Sequence, residues 1–386
     1  MATTFKSFSN NDVISTKTLL HEAVPVTGAI ASGSYSDANI KNYSHGQFQS
    51  VYDYPYLSSS ANHIFDIAIG YSPKSKLSSS VRTIAQKKKF NIYNQMAQVL
   101  MGFDHTGSVQ RFDEDGDLLA GGTKIDSAYF INFSRLLVKD EIKKGSFAIE
   151  LGVGYEPAWK APATNSPMSK IIKIADTNAQ NDFRVNSPAG EYGILYATVA
   201  KGTNVLTQPN GTQKCGLIYY QAGIIVLTSS VLLRVETKDG TAYRGSGILH
   251  TSLGRPLSAS VHGHKGHNSD IPETAHQLMT GSNITASCDA LRSRIYNISF
   301  NNTTELNSTV YFCRANHNEF NYSANPTYLS ASKLRVKQQS TDTPVSFVTT
   351  VGLYSADNEL MAVAKLSEPL RKDPTNEMTL RVRLDY

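Results

Sequence analysis

The 386-residue sequence predicts a mainly β protein with a few short helices: antiparallel β-sandwich or meander domains, an extended N-terminal arm and an all-β C-terminal domain. Three observations predict it. Residues 291–386 read as strands separated by turns, and Arg381-Val382-Arg383-Leu384-Asp385-Tyr386 keeps a polar/apolar alternation to its last residue, the pattern of a terminus tied into a sheet. Hydrophobic residues make up 40% and charged residues 18% of the chain, with Ser, Thr, Asn, Gly and Tyr filling the difference from ordinary globular composition. Only one segment carries a strong helical period.

At this length more than one domain is expected. Residues 1–60 are polar and read as the arm. Tyr52, Tyr54 and Tyr56 alternate around Pro55, which puts three rings on one side of an extended strand. Pro55 lacks a ladder donor, so that strand sits at an edge or lies across a surface. Such rings suit a grip on a neighbouring subunit, with packing on the chain's own domain as the alternative.

Residues 61–155 read as a mixed α/β domain. Tyr93, Met96, Ala97 and Leu100 recur at helical spacing, predicting a helix from about 88 to 103 that ends near Gly102. Strands are expected over 128–133 and 146–153, with a charged turn or short helix over 137–144. A looser stretch, 154–180, holds three prolines and Trp159, the one tryptophan, so a boundary is placed near 155.

Residues 156–235 read as a hairpin-rich domain. Strands are expected over 193–199, 217–220 and 224–227, the last two joined through Gln221-Ala222-Gly223 as a tight hairpin buried on both faces. Residues 236–290 lose periodicity and read as an irregular Gly/Ser/His-rich loop insertion, with a short helix possible over 272–279. Residues 291–386 form the C-terminal sandwich-like domain, with strands expected over 295–300, 310–314, 345–354, 360–366 and 378–384.

The net charge of +5 is mild for this length, and no nucleic-acid partner is expected. Lys87-Lys88-Lys89 reads as a solvated lead-in to the helix, with a phosphate contact as the alternative. Cys215, Cys288 and Cys313 are too few for a disulfide framework. Cys215 and Cys313 lie in apolar strand patterns and read as buried thiols. The N-terminus lacks a basic start and an apolar core, and no run approaches a membrane span, so synthesis in a reducing cytosol is expected. Asn-x-Ser/Thr sequons at Asn42, Asn132, Asn210, Asn283, Asn297, Asn301, Asn302, Asn307 and Asn321 are then what a chain rich in these residues produces by chance.

Catalysis finds no anchor: there is no G-x-S-x-G elbow, no H-E-x-x-H and no P-loop. Neither a catalytic residue nor a cofactor is expected. Asp113-Glu114-Asp115-Gly116-Asp117 suggests a calcium loop but fails its spacing. With Gly116 in sixth place, Arg111 and Gly122 take the first and twelfth positions, where acids are required. A polar turn is the better reading, a looser cation site the other. In His262-Gly263-His264-Lys265-Gly266-His267, His262 and His264 would share one face of an extended segment, a start for a metal site to which His267, Glu273 and His276 could add. An exposed polar loop is the preferred reading, so no metal site is expected.

Several phrases carry a resemblance. They include Gln49-Ser50-Val51-Tyr52-Asp53-Tyr54-Pro55-Tyr56, Ser187-Pro188-Ala189-Gly190-Glu191-Tyr192-Gly193, Asn301-Asn302-Thr303-Thr304-Glu305-Leu306-Asn307, Thr350-Val351-Gly352-Leu353-Tyr354 and Ala362-Val363-Ala364-Lys365-Leu366-Ser367-Glu368-Pro369-Leu370. The phrase from Arg314 to Ser323 belongs with them. Together they resemble virion structural proteins of T4-like contractile-tailed phages of marine cyanobacteria, over roughly 1–135, 180–230 and 290–386. The resemblance implies a non-enzymatic component of the tail or baseplate region, present in symmetric copies. Its partners would be copies of itself and other virion proteins. Assembly would run through strand edges and the arm, with Tyr52, Tyr54, Tyr56, Val351, Tyr354 and Tyr386 as interface candidates. The alternative is a host-surface or fibre-tip binding module that exposes the 236–290 loop.

Overall fold

The computed structural model describes residues 5–26, 37–75, 78, 83–117, 122–153, 170–202, 205–232, 236–238, 241–244, 248–249, 284–292, 294–323, 329–330, 333–334, 339 and 341–386. In chain order come β1 (Val13–Pro25), β2 (Ile40–Asn42), β3 (Phe48–Tyr52), β4 (His63–Tyr71), helix α1 (Ile84–Leu100), β5 (Ser127–Phe133) and α2 (Arg135–Val138). β6 (Glu141–Ile142), β7 (Ala148–Gly152), β8 (Ile171–Ala175), β9 (Phe183–Arg184), β10 (Tyr192–Lys201), β11 (Gln213–Tyr219) and β12 (Ile224–Thr228) follow. Then come β13 (Glu236–Lys238), β14 (Thr241–Arg244), helix α3 (Ile284–Arg292) and β15 (Ile295–Ala315). The last strands are β16 (Leu329–Ser330), β17 (Lys333–Leu334), β18 (Ser346–Tyr354), β19 (Leu360–Lys372) and β20 (Met378–Asp385). The fold is mainly β, as the composition and patterning predict. Among the described residues no helix is long and apolar enough to cross a membrane.

Two units divide the chain: His21–Thr304, and Met1–Leu20 together with Glu305–Tyr386. In the first, antiparallel strands lie side by side in the order β15-β7-β8-β10-β11-β12-β5-β4-β3-β2. Residues 61–155 and 156–235 were expected as separate domains, yet β7 pairs with β8 and β12 with β5. One core runs through both because their apolar strands complete the same sheet. The arm also ends earlier than residue 60: Gln49, Ser50 and Val51 are buried inside that sheet.

Helices cover both faces of the sheet. Gly70 gives α1 its seat, since a Cβ there would lie 2.7 Å from Tyr93 N and 2.8 Å from Lys89 O. Gln49, whose cross-strand partner is Ile67, donates to Asp289 Oδ1 of α3 at 2.7 Å. Residues 67 and 70 have opposite parity on β4, so the two helices lie on opposite faces. Helix α1 starts at Ile84, four residues before the expected start. Thr83 and Gln86 form a capping box that fixes its first turn. That start puts Lys89 on the inner side, fully buried, rather than on a solvated lead-in. Burial lowers its pKa to about 8.

The core of this unit is aromatic. Phe133 packs against Phe65, Phe147 and Phe300 at 5.1–6.2 Å between ring centres. Buried Asp176 accepts from Gly145 N (2.7 Å), Phe147 N (3.0 Å) and Tyr220 Oη (3.1 Å), which ties the turn before β7 to the sheet. The expected 217–227 hairpin is β11–β12, turned at Gly223 with φ +66°. The expected helix over 272–279 lies outside the described residues.

In the second unit β15 pairs with β20 from Ser308↔Asp385 to Ala315↔Met378. β18 and β19 form a separate antiparallel hairpin. Lys372 is fully buried at its base. The Lys372 ammonium donates to Asn321 Oδ1 (2.7 Å), Asp373 O (2.9 Å) and His317 O (3.3 Å), which fixes the loop after β15 to the hairpin.

Candidate interaction surfaces

The three tyrosines do not share one strand face. β3 ends at Tyr52, and the chain turns through Asp53–Tyr56, where Tyr56 N donates to Ala38 O at 2.9 Å and Asp53 Oδ1 accepts from Asn62 N at 2.6 Å. Tyr52 meets Tyr56 at 6.4 Å and His63 at 5.6 Å. Tyr54 and Tyr56 are exposed. Pro55 acts here as a turn residue, which breaks the period-two reading. Burial, then the neighbouring Tyr43 hydroxyl, raises the Tyr52 pKa.

Beneath these rings Asp66 Oδ1 accepts from Ser50 Oγ at 2.5 Å and lies 2.8 Å from His63 Nε2. Serine, aspartate and histidine thus meet in the wrong order for a nucleophile: the imidazole faces the carboxylate and not the hydroxyl it would have to deprotonate. Sequence reasoning missed this cluster because Ser50 lies on β3, thirteen and sixteen residues before His63 and Asp66 of β4.

Asp113, Asp115 and Asp117 bring one carboxylate oxygen each within 4.8 Å of the others. Gly116 (φ +70°) makes the turn that allows it, and its carbonyl accepts from Tyr192 Oη at 3.2 Å. Lys124 forms an ion pair with the fully buried Asp113, and Lys214 Nζ lies 4.0 Å from Asp115 Oδ2. The Lys124 ammonium therefore neutralises Asp113, one of the three carboxylates, while Asp115 Oδ1 is buried without a hydrogen-bond partner among the described residues. Burial raises the pKa of Glu114 beside it. The histidines at 262, 264, 267 and 276, and Glu273, lie outside the described residues, as does most of the 236–290 loop.

The second unit carries the remaining candidates. Tyr386 is exposed and closes a pair with Asn307 through both backbone groups, at 2.9 and 3.0 Å. Val351 and Tyr354 belong to β18 and line a cleft of about 770 Å³. Its opposite wall is the segment Phe5–Phe8 and the end of β15, including Cys313, which is half-buried and not the buried thiol expected. The Phe5 ring meets Tyr354 edge-on at 4.8 Å. The charges at the cleft are paired within the unit, Lys6 with Glu319 and Arg314 with Asp12 at 2.5 Å. Hydrogen bonds from Ser9, then Arg314, lower the Asp12 pKa to about 2.

The hairpin itself is exposed on both faces. Phe347, Tyr354, Leu360, Met361, Val363 and Leu370 each show between 39 and 70% of their surface. β1 is similar: eleven of its thirteen residues are exposed and two half-buried.

Comparison of the chain with known protein families, with curated proteins and with solved structures finds no match.

Proposed function

We propose that this chain is a non-enzymatic structural protein of a phage virion, assembling into the tail or baseplate region through strand edges and its N-terminal segment. One observation carries the assembly reading: β1 and the β18–β19 hairpin present large apolar side chains to solvent from both faces. A lone two-stranded hairpin is marginal in water, and unpaired edges are templates for another chain. Exposed apolar surface of this kind marks sites of association. The virion and its tail enter through the phrases in 49–56, 187–193, 301–323 and 350–370 that resemble phage structural proteins.

The test is to find the chain in purified particles by mass spectrometry and to locate its density in a map of the intact virion. The expected result is a fixed copy number in the tail or baseplate region. Particles of full infectivity that lack the chain would overturn the reading.

A further inference from the structure

The geometry points to β18 as an acceptor for one added strand, an extended, weakly charged peptide of a different polypeptide with apolar side chains at alternate positions. This inference rests on the assembly reading and names one partner chemistry within it.

The cleft of about 770 Å³ is lined by every residue from Ser346 to Ala356. Side chains on a strand alternate between faces, so a cavity above one face would meet every second residue. A consecutive lining means that the cleft runs along the margin of β18, where backbone donors and acceptors project. Among the described residues β18 pairs with β19 alone, and no described strand lies along this margin. An unpaired ladder specifies its own complement, a peptide in the extended conformation.

The walls set the side-chain preference. Phe5, Phe8, Phe320, Tyr322, Phe347 and Tyr354 surround the margin. Lys6, Asp12 and Arg314 are engaged in ion pairs inside the unit, which leaves no net charge to attract a charged partner. The site is also held in shape before anything enters it: Ser346 Oγ donates to Phe320 O, and Lys372 anchors the Phe320 loop. Such preorganisation removes part of the ordering cost of binding.

The experiment presents a displayed random dodecapeptide library to the immobilised full chain, followed by synthesis of the selected peptides. Selected sequences are expected to alternate apolar with polar residues. Methylating the peptide backbone nitrogens at one parity should weaken binding at least tenfold, and methylating the other parity less than threefold, because only every second N–H of an added strand faces its host. Phe347→Glu should abolish binding. The methylated peptides keep the test valid if that variant misfolds.

A selection without period-two sequences, or binding indifferent to backbone methylation, overturns the inference. So does a dimer of the chain that dissociates in Phe347→Glu, since the occupant would then be a second copy. These outcomes leave the virion role standing, and the particle measurements above decide that role separately.

Discussion

The sheet of His21–Thr304 and the β18–β19 hairpin are both antiparallel strands in register, but they are stabilised differently. In the sheet, β5 is buried at five of seven positions and helices cover its neighbours on both faces. In the hairpin, only Ser346, Leu353 and Lys372 are buried among 22 strand residues. A ladder of hydrogen bonds contributes little net stability by itself, because water offers the same bonds to the unfolded chain. The sheet is therefore held by its side chains, and the hairpin by what its surroundings supply.

Four measurements would break or sharpen this contrast. The largest effect is expected for Phe133→Ala, which removes a ring packed among three others and should destabilise the chain by about 3–5 kcal/mol in urea unfolding. A loss below about 1 kcal/mol would mean that the sheet core is not the source of stability. Next is Gly70→Ala, whose Cβ would press into the backbone of α1 at 2.7 Å and should destabilise by roughly 1–3 kcal/mol. An unchanged midpoint would show that the helix can shift on the sheet.

The third concerns Lys89. Its pKa falls from 10.5 unfolded to about 8 in the fold. Below pH 8 both states are protonated and the burial penalty is fully present. Between about pH 8 and 10.5 the unfolded chain holds more protons than the folded one, so stability should rise with pH across that window. Lys89→Met should flatten this slope in urea titrations from pH 7 to 10. A slope unchanged by the substitution would remove Lys89 as its cause.

The smallest effect is expected at Met361→Ser, which should shift stability by under about 0.5 kcal/mol because the side chain is 70% exposed. A loss matching that of Phe133→Ala would erase the contrast, because it would make the hairpin part of a core.

Much of this architecture is legible in the sequence where a side chain alternates with its environment. β5, β12, β18 and β20 match the expected spans closely, because apolar runs bounded by turn residues leave little choice of register. β15 reads as two strands, 295–300 and 310–314, yet runs unbroken through Asn301–Ser308. That polar stretch lacks a hydrophobic period, although Asn302 is buried and its amide donates to Leu137 O at 2.9 Å. Propensity does not see a satisfied buried amide. The cleft was legible only in its members Val351 and Tyr354. Phe5 and Phe8 join it from more than 300 residues away, and no local pattern encodes that meeting.

Lys124 has a consequence for the medium in which the chain works. A loop that borrows a divalent ion loosens when a chelator removes it, and its order tracks the salt around it. At Asp113 the turn at 113–117 has its counter-charge covalently built in. That end of the turn should hold the same shape in EDTA, in dilute buffer and in magnesium-rich water.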